Sequence, residues 1–292
     1  MRYTLSVIIL LLVACICCPA AVANGGATYV SDCDTMVESS YDGEYIVITN
    51  DFAMEREGYC IYIDHDHVTV DCQGFRLTGI GDDEFNYAIR TEYAENTVVQ
   101  NCEFYNFAIG IYFYYGEYNA AIDNKFRFND SGVAFLYSDY GYVEGSKADD
   151  NVRSGVQVHT SDYFIVYDNA IHGSACADNA VGGAGILINA SKNGYVFDNQ
   201  TNANCENGIR LQNESDDNYV FDNSTNVNIE GRPNRVGIGI AVVASSDGNE
   251  VFNNTANRND VGISTNTTNT FYGNRCKANK IANSVPVTGV CK

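Results

Sequence analysis

The chain has 292 residues, 45% of them hydrophobic, and its 17 Lys and Arg against 37 Asp and Glu give a formal net charge of −20. This balance excludes nucleic acid as an expected partner, because a phosphate-binding face needs a basic stripe. An acidic surface suits a soluble protein, divalent cations or basic partners instead.

Residues 1–23 have the pattern of a secretory signal peptide. A basic residue precedes the apolar run from Leu5 to Val13, and Ala21-Val22-Ala23 fits the small-x-small cleavage rule. Cleavage there predicts a mature chain that begins at Asn24 and is secreted or held at the cell surface. The segment that ends at Cys15 also resembles a lipoprotein cleavage box, so the alternative is a lipid anchor on Cys15. No later stretch is long and apolar enough to span a membrane.

A Gly-Ile or Gly-Val dipeptide, or a near copy, recurs along the chain at a nearly fixed step. The steps are 22, 22, 23, 30, 23, 31 and 23 residues. Such a short period allows one supersecondary unit per repeat and predicts a stacked solenoid. The copies begin at Ala88, Gly110, Gly132, Gly155, Gly185, Gly208, Gly239 and Gly262.

Each repeat has the pattern of short strands with one face inward. Counted from the Gly, apolar residues fall at +1 and +3 and again near +11 or +12, where Ile122 and Val143 lie. Position +6 is small, as at Ser138 and Ser245, and position +14 is usually Asn, as at Asn253. Asn tolerates left-handed turns and can bond the identical residue one coil away.

These features predict a parallel β-helix over residues 60–279, with coils about 4.8 Å apart. Its open ends would be exposed sheet edges that need caps, which we assign to residues 24–59 and 280–292. The two long steps place insertions at one corner, His172–Gly183 and Asn226–Arg235. Such insertions leave the coils intact and commonly form binding loops.

Removal of the signal leaves eight cysteines, an even number that favours disulfides in an exported chain. Cys72 and Cys102 are 30 residues apart on successive predicted coils, which can bring them within bridging distance. A zinc site is the alternative, but these eight include no Cys-x-x-Cys pair. The remaining predicted pairs are Cys33–Cys60, Cys176–Cys205 and Cys276–Cys291.

Two segments in order along the chain resemble the opening of secreted right-handed β-helix repeat proteins. They are Cys60-Ile-Tyr-Ile-Asp-His-Asp-His-Val-Thr-Val-Asp-Cys-Gln-Gly and, after it, Thr97-Val-Val-Gln-Asn-Cys. These have a pectate-lyase-like fold and include archaeal and bacterial surface proteins and the copper-site maturation proteins of the nitrous-oxide reductase system. The resemblance runs from about Cys33 to the C-terminus. It implies an all-β, right-handed parallel β-helix of about nine to ten coils. It implies no single activity, because this fold hosts lyases, hydrolases, adhesins and inert scaffolds.

Tyrosines and acids recur beside position +6, and they point outward if +6 points inward. Exposed Tyr rings are good sugar platforms, so we predict a glycan-binding edge; a soluble aromatic edge is the alternative. Carboxylates one strand spacing apart could share Ca²⁺, bind sugar hydroxyls, or form the carboxyl pair of a retaining glycosidase. The tyrosines are Tyr93, Tyr115 and Tyr137 at +5 and Tyr118, Tyr140 and Tyr163 at +8, and the acids at +7 are Glu95, Glu117, Asp139 and Asp162.

Two other sets offer weaker catalytic candidates. The first set resembles part of the polygalacturonase pattern, which has paired Asp residues, a histidine in Gly-His-Gly and an Arg-Ile-Lys motif. The matching residues here are Asp149 and Asp150, then His172, and Arg210 for the arginine of the motif. The first Gly and the Lys of that pattern are absent. A pectate-type lyase would need Ca²⁺ and an Arg base, for which Arg90 is the candidate.

Metal binding at Asp64-His65-Asp66-His67 is not expected, because alternate residues on a strand point oppositely. Copper delivery lacks clustered soft ligands among the 4 His and 3 Met. Glycosylation sequons occur at several Asn, of which Asn189, Asn213 and Asn266 fall at or near outer turns. The others are Asn129, Asn199, Asn223 and Asn253.

The sequence thus favours an extracellular or cell-surface module that binds glycan without catalysis or that has a structural role. The first alternative is a polysaccharide lyase or glycoside hydrolase that acts on acidic polysaccharide. The second is an inert scaffold repeat that self-associates in a surface assembly. The expected partner is a polysaccharide or cell-surface glycan, and Ca²⁺ is the one cofactor that the acids suggest.

Overall fold

The computed structural model describes residues 26–34, 36–81, 85–176, 183–229, 236–243, 245–265, 268–285 and 290–291. These residues form 29 β-strands and no α-helix. A helix that could cross a membrane is not found in the described part of the chain. The predicted signal peptide, its cleavage site and Cys15 lie outside the described residues, as does Asn266.

All strand pairs are parallel, and they join into three sheets that receive strands in turn as the chain winds around. Sheet 1 has the longest strands, up to seven residues. Its strands are β2 (Val37–Glu38), β5 (Gly58–Ile63), β8 (Asn86–Glu92), β11 (Ile109–Tyr114), β14 (Ser131–Leu136), β17 (Ser154–His159), β20 (Ala184–Asn189), β23 (Asn207–Gln212), β25 (Ile238–Val242), β27 (Val261–Ser264) and β29 (Ala282–Val285).

Sheet 2 follows sheet 1 in each coil, after the turn that we call corner 1. Its strands are β1 (Thr28–Val30), β3 (Tyr45–Ile48), β6 (Thr69–Asp71), β9 (Val98–Gln100), β12 (Ala120–Ile122), β15 (Tyr142–Glu144), β18 (Ile165–Tyr167), β21 (Tyr195–Phe197), β24 (Tyr219–Phe221), β26 (Glu250–Phe252) and β28 (Thr270–Tyr272).

Sheet 3 lies between corner 2, which leads from sheet 2, and corner 3, which leads back to sheet 1. Its strands are β4 (Phe52–Ala53), β7 (Arg76–Thr78), β10 (Glu103–Tyr105), β13 (Lys125–Arg127), β16 (Lys147–Asp149), β19 (Ala170–His172) and β22 (Gln200–Asn202). The three sheets enclose one core, and the predicted all-β parallel β-helix is confirmed.

The register places equivalent residues of successive coils directly over one another. In β11, Ile111 pairs with Val133 of the next coil and Phe113 pairs with Phe135, and all four side chains are buried. Full burial of an apolar side chain of this size stabilises the fold by roughly 1.5–3 kcal/mol. The repeated +1 and +3 positions therefore supply the main hydrophobic contribution of sheet 1.

The sheets extend past both predicted cap boundaries. Residues 24–59 contain β1 to β4, which pair in parallel with the strands of the following coils. Beyond residue 279, β29 pairs with β27. Sheets 1 and 2 each contain eleven strands among the described residues, so the expected nine to ten coils was an underestimate. The first coils lack the Gly-Ile dipeptide that marks the repeat, and the sequence pattern missed them for that reason.

A ladder of inward Asn side chains closes corner 2. The Oδ1 atom of Asn199 accepts the backbone N–H of Asn169 at 3.0 Å, and its Nδ2 atom donates to the carbonyl oxygen of Val166 at 2.8 Å. These bonds satisfy backbone groups that the tight turn takes out of the sheets. The ladder consists of Asn124, Ser146, Asn169, Asn199, Asn223, Asn254 and Asn274.

Similar ladders close the other two corners; the repeat alignment identified the small residue at position +6 of corner 1 but not the column at corner 3. Corner 1 has a serine ladder, in which Ser138 donates its N–H to Ser161 Oγ at 2.9 Å, and several inward asparagines such as Asn218. Corner 3 has an Asn ladder that begins with Asn129. Except for Ser174, whose buried Oγ has no hydrogen-bond partner among the described residues, the side chains in these ladders bond backbone groups of neighbouring coils, so all three corners use the same solution. The corner 3 ladder consists of Asn129, Asn151, Ser174, Asn204, Asn228, Asn259 and Asn279.

Three positions differ from the repeat alignment. Corner 1 is one residue longer in the later coils, so Ser246 rather than Ser245 joins the serine ladder and Asn254 rather than Asn253 joins the Asn ladder. Ile122 points outward beside Glu144, because Ala121 is the residue in register with the inward Val143.

The eight cysteines form the four predicted disulfides, so that prediction is confirmed. The pairs have Cα–Cα distances of 4.7–5.4 Å, as expected for residues on neighbouring coils. Cys176–Cys205 ties the first insertion to the following coil. Both insertions lie at corner 3, although residues 177–182 and 230–235 of them are outside the described part of the chain. The four bridges are Cys33–Cys60, Cys72–Cys102, Cys176–Cys205 and Cys276–Cys291.

The sequons divide between the interior and the surface. Asn129, Asn199 and Asn223 are buried in the ladders, where their amides are bonded and could not carry a glycan. Asn213 is exposed, and its Nδ2 atom donates to Oδ1 of Asn189 at 2.7 Å. Surface glycosylation therefore stays a prediction for these last two residues.

An acidic column lines the outside of corner 2. Asp168, Asp198 and Asp222 occupy the same left-handed turn position in successive coils, with φ of 53–55°. Burial, followed by the negative charges of Asp222 and Asp168, raises the pKa of the Asp198 carboxyl above its ordinary 3.8. The in-register stack thus places like charges close together.

We expect Asn199→Ala to destabilise the protein, because it leaves Asn169 N–H and two carbonyl groups without their partner. The cost of leaving buried polar groups unpaired is about 1–3 kcal/mol each, so thermal unfolding should occur several degrees lower. Gln200→Ala, at the exposed neighbouring position, is the matched control. Equal melting temperatures for the two variants would show that the ladder contributes little.

We expect Asp198→Asn to stabilise the protein increasingly as the pH rises. The folded-state pKa of Asp198 is raised. The Asp198 carboxyl therefore makes its full favourable contribution to the free energy of unfolding only below its unfolded-state pKa, and that contribution is lost as the pH rises through its folded-state pKa. The melting temperature of the variant minus that of wild type should therefore grow from about pH 3 to pH 7. A difference that stays constant over this range would contradict the raised folded-state pKa of Asp198.

Candidate functional site

An aromatic surface covers the outer face of sheet 1 in its N-terminal half and continues onto corner 1. It exists because the strand alternation that buries Ile111 and Phe113 turns Tyr112 and Tyr114 outward. The rings of Tyr114 and Tyr115 lie 4.4 Å apart and join the sheet to the corner. We call this surface the tyrosine face; it consists of Tyr59, Tyr62, Tyr87, Tyr112 and Tyr114 on the sheet and Tyr93, Tyr115 and Tyr137 at the corner.

The sequence analysis identified only the corner residues of this face. The sheet residues lie on β5, β8 and β11, outside the aligned +5 to +8 window, and the alternating Tyr-x-Tyr of Tyr112 and Tyr114 was the available signal. Burial raises the pKa of the Tyr112 phenol to about 12. Burial, together with a hydrogen bond to Glu92, raises the pKa of Tyr62 to about 12 as well. Both phenols are therefore neutral and keep their hydroxyl protons.

Arg90 lies at the centre of the tyrosine face. Its guanidinium carbon is 5.0 Å from the ring centroid of Tyr59 and 5.1 Å from that of Tyr114, a cation–π geometry worth about 0.5–2 kcal/mol. One amine donates to the hydroxyl of Tyr59 at 2.5 Å and the other pairs with Glu92 at 3.0 Å. The guanidinium is already engaged by a tyrosine hydroxyl and a carboxylate, so these surroundings do not favour Arg90 as a lyase base.

The corner tyrosines stack ring on ring along the solenoid axis. Neighbouring centroids are 4.6–5.3 Å apart and their planes are within 10–16° of parallel. Both faces of a middle ring, such as Tyr115, are therefore covered by its neighbours, and only its edge and hydroxyl reach solvent. Tyr93 ends its stack and is 67% exposed. The two stacks are Tyr93, Tyr115 and Tyr137, and Tyr118, Tyr140 and Tyr163.

Two of the four acids at position +7 bond the backbone of the next coil. Asp139 Oδ1 accepts the N–H of Asp162 at 2.7 Å, and Asp162 Oδ1 accepts the N–H of Lys192 at 2.7 Å. Glu117 is bridged to Asp139 in the same column, and Glu95 donates its own N–H to a carboxylate of the preceding coil. Within the described residues, no group of three or more His, Cys, Asp or Glu side chains is arranged to hold a metal ion. Calcium binding by this column stays a prediction.

The polygalacturonase-like residues lie on sheet 3 and corner 3. Asp149 and His172 are neighbours in register, and Asp149 faces the Arg127 guanidinium at 3.5 Å. The Asp150 carboxylate fills the space beside Gly173, where a Cβ would stand. Arg210, the fourth member of the pattern, lies on sheet 1 in β23. The two parts of the pattern are therefore on different sheets.

Asp64 and His65 form a local contact rather than a catalytic triad. His65 Nδ1 is 2.8 Å from Asp64 Oδ1 and 3.3 Å from Ser39 Oγ. A serine–histidine–acid relay needs the acid and the serine on opposite ring nitrogens. Asp66 instead accepts the backbone N–H of Glu95 at 2.8 Å.

Several solved structures have a similar fold. They include a double mutant of the periplasmic alginate epimerase AlgG, with 17% identity and a TM-score of 0.66 over 85% of this chain and 65% of that chain. The Dettilon tailspike protein has 14% identity and a TM-score of 0.64 over 86% of this chain and 60% of that chain. DFA-IIIase from Arthrobacter chlorophenolicus, in complex with DFA-III, has 11% identity and a TM-score of 0.64 over 96% and 80%.

At these identities the similarities show the fold alone. The chain spans less than two thirds of the alginate epimerase and tailspike chains. No curated protein sequence matches the chain. A family model described as a right handed beta helix region matches residues 55–226. Since this match covers more than half of the chain, the protein belongs to the right-handed β-helix family.

Proposed function

We propose that this protein is an exported, non-catalytic module that binds a polysaccharide along the tyrosine face. The observation that carries the proposal is the position of Tyr93, which is 67% exposed at the end of a stack. An end ring has one face that no stacked tyrosine covers, and such a face can pack on a pyranose ring. The covered rings add a row of hydroxyl groups beside it.

The charges favour a neutral glycan. The chain has a net charge of −20, which would repel a polyanion, and the Arg90 charge on the tyrosine face is offset by Glu92. The alginate epimerase among the similar structures supports a saccharide partner in general terms.

A binding role accounts better than catalysis for the acids near this face. The Asp139 and Asp162 carboxylates each bond a backbone N–H of the adjacent coil, so they already have a structural partner. The Asp149 and His172 pair lies on sheet 3, away from the tyrosines. Export, whether by cleavage after residue 23 or with a lipid on Cys15, is part of the proposal, and the four disulfides support it.

The backbone of corner 1 supports a role for the tyrosine side chains themselves. Tyr118, Tyr140 and Tyr163 have φ of 56–59°, a left-handed conformation that costs an ordinary residue roughly 1–2 kcal/mol. The equivalent positions of later coils are Asn193 and Asp217, which tolerate this conformation better. The turn therefore does not require Tyr, and the exposed rings are retained at a conformational cost.

We expect a glycan array probed with the wild-type protein to give signals with neutral polysaccharides, and Tyr93→Ala to lose most of that signal. Tyr29→Ala is the matched control, because Tyr29 is 71% exposed on β1, away from the tyrosine face. No signal from the wild-type protein on any glycan would overturn the proposed function. Equal loss in both variants would show that the effect is not specific to this face.

We expect Tyr118→Asn to leave stability nearly unchanged, within about 1 kcal/mol. Loss of a stacked ring pair costs about 0.5–1.5 kcal/mol, whereas relief of the left-handed backbone returns a similar amount. Thermal unfolding of the variant and wild type measures the balance. A large destabilisation would mean that the second stack is primarily structural.

A further inference from the structure

We infer that a cleft on the C-terminal half of the same sheet is a second sugar-binding subsite, which takes a glycosyl residue of the neutral chain bound at the tyrosine face. The cleft has a volume of about 240 Å³ and lies on the outer face of β17, β20 and β23. This inference rests on the proposed function and extends it to a new set of residues. The lining side chains used below are Arg153, Gln157, His159, Leu187 and Asn189.

The cleft lies on the same rows of side chains as the tyrosine face. In one row, Tyr114 pairs with Leu136, which pairs with His159. In the neighbouring row, Tyr112 pairs with Ala134, which pairs with Gln157. Two strand spacings, about 10 Å, therefore separate the tyrosines from the cleft.

The residues between the two sites leave a passage for an extended chain. Ala134 is small, and Leu136 presents an apolar side chain beside it on the outer face of β14. An extended polysaccharide that runs parallel to the solenoid axis would contact aromatic rings first and reach the cleft after two coils.

The polar groups of the cleft are available to a ligand. Within the described residues, neither the His159 imidazole nor the Gln157 amide forms a side-chain hydrogen bond with another group. Burial lowers the pKa of His159 below its ordinary 6.5, so at neutral pH the ring offers one donor and one acceptor nitrogen. Sugar hydroxyls, which both donate and accept, match such a pair.

The remaining lining residues complete the chemistry of a saccharide site. Asn189 accepts a hydrogen bond from Asn213 at 2.7 Å through Oδ1, which orients its amide. Leu187 lies between Gln157 and Arg210 in its row and supplies an apolar floor. Arg153 is held by Asp130 at 3.2 Å, so its charge is balanced. Apolar walls with a few convergent polar groups are typical of ligand sites.

The test is calorimetric titration with cello-, manno- and xylo-oligosaccharides, each as a disaccharide and as an octasaccharide. Gln157→Ala and His159→Ala should each weaken octasaccharide binding about tenfold, equivalent to about 1.4 kcal/mol. Disaccharide binding should be unchanged in both variants, because a disaccharide fits on the tyrosine face alone. Gln200→Ala, an exposed amide on sheet 3, should leave both affinities unchanged.

Failure of the inference and failure of the proposed function give different results. If Gln157→Ala and His159→Ala bind the octasaccharide as tightly as wild type while Tyr93→Ala does not, the cleft is not a subsite and the tyrosine face remains one. If the wild-type protein binds none of these oligosaccharides and gives no array signal, the proposed function is wrong and the inference with it. All variants lie on the surface, and their melting temperatures confirm folding.

Discussion

The fold depends on the hydrogen bond between an inward side chain at a corner and the backbone of the neighbouring coil. A solenoid must turn sharply three times per coil, and each turn removes backbone groups from the sheets. An unpaired buried amide or carbonyl costs about 1–3 kcal/mol, so repeated unsatisfied corners would cancel the hydrophobic gain of the core. The Asn199 side chain, with bonds to Asn169, Val166 and Phe197, illustrates how one residue satisfies three such groups.

The same register also places similar outward side chains of successive coils next to one another. Identical side chains stack at one strand spacing, which favours aromatic rings and disfavours equal charges. Phe197 and Phe221 stack on sheet 2 at 4.9 Å, and this contact makes them largely buried although they face outward. Asp198 between Asp168 and Asp222 shows the unfavourable case, in which burial and then the two neighbouring negative charges raise the pKa of the carboxyl. Columns of apolar side chains on the surface of this solenoid therefore pack against themselves, whereas columns of like charge are electrostatically unfavourable.

Self-packing limits what an aromatic column can bind. A ring covered on both sides, like Tyr115, offers an edge and a hydroxyl, whereas Tyr93 at the end of the stack offers a face. We therefore expect a saccharide to bind at the ends of the ring stacks and at places where a row of outward side chains changes from aromatic to polar residues. The change from Tyr114 through Leu136 to His159 is one such place, and it joins the two proposed subsites into a single track.

The sequence by itself determined the repeat, the parallel β-helix and the four disulfides, because these depend on spacing along the chain: the coils differ in length mainly by two insertions, and three of the four cysteine pairs lie 27–30 residues apart, about one coil. It also located Tyr93 and its stacking partners. Only the tertiary structure revealed the first coils, where no Gly-Ile dipeptide marks the repeat, and the one-residue shift that selects Asn254 over Asn253. It also brought Arg90 among tyrosines of the two neighbouring coils and left His159 in a cleft. Those arrangements depend on which outward side chains of separate coils become neighbours and on how these side chains pack. The sequence of a single repeat does not contain this information.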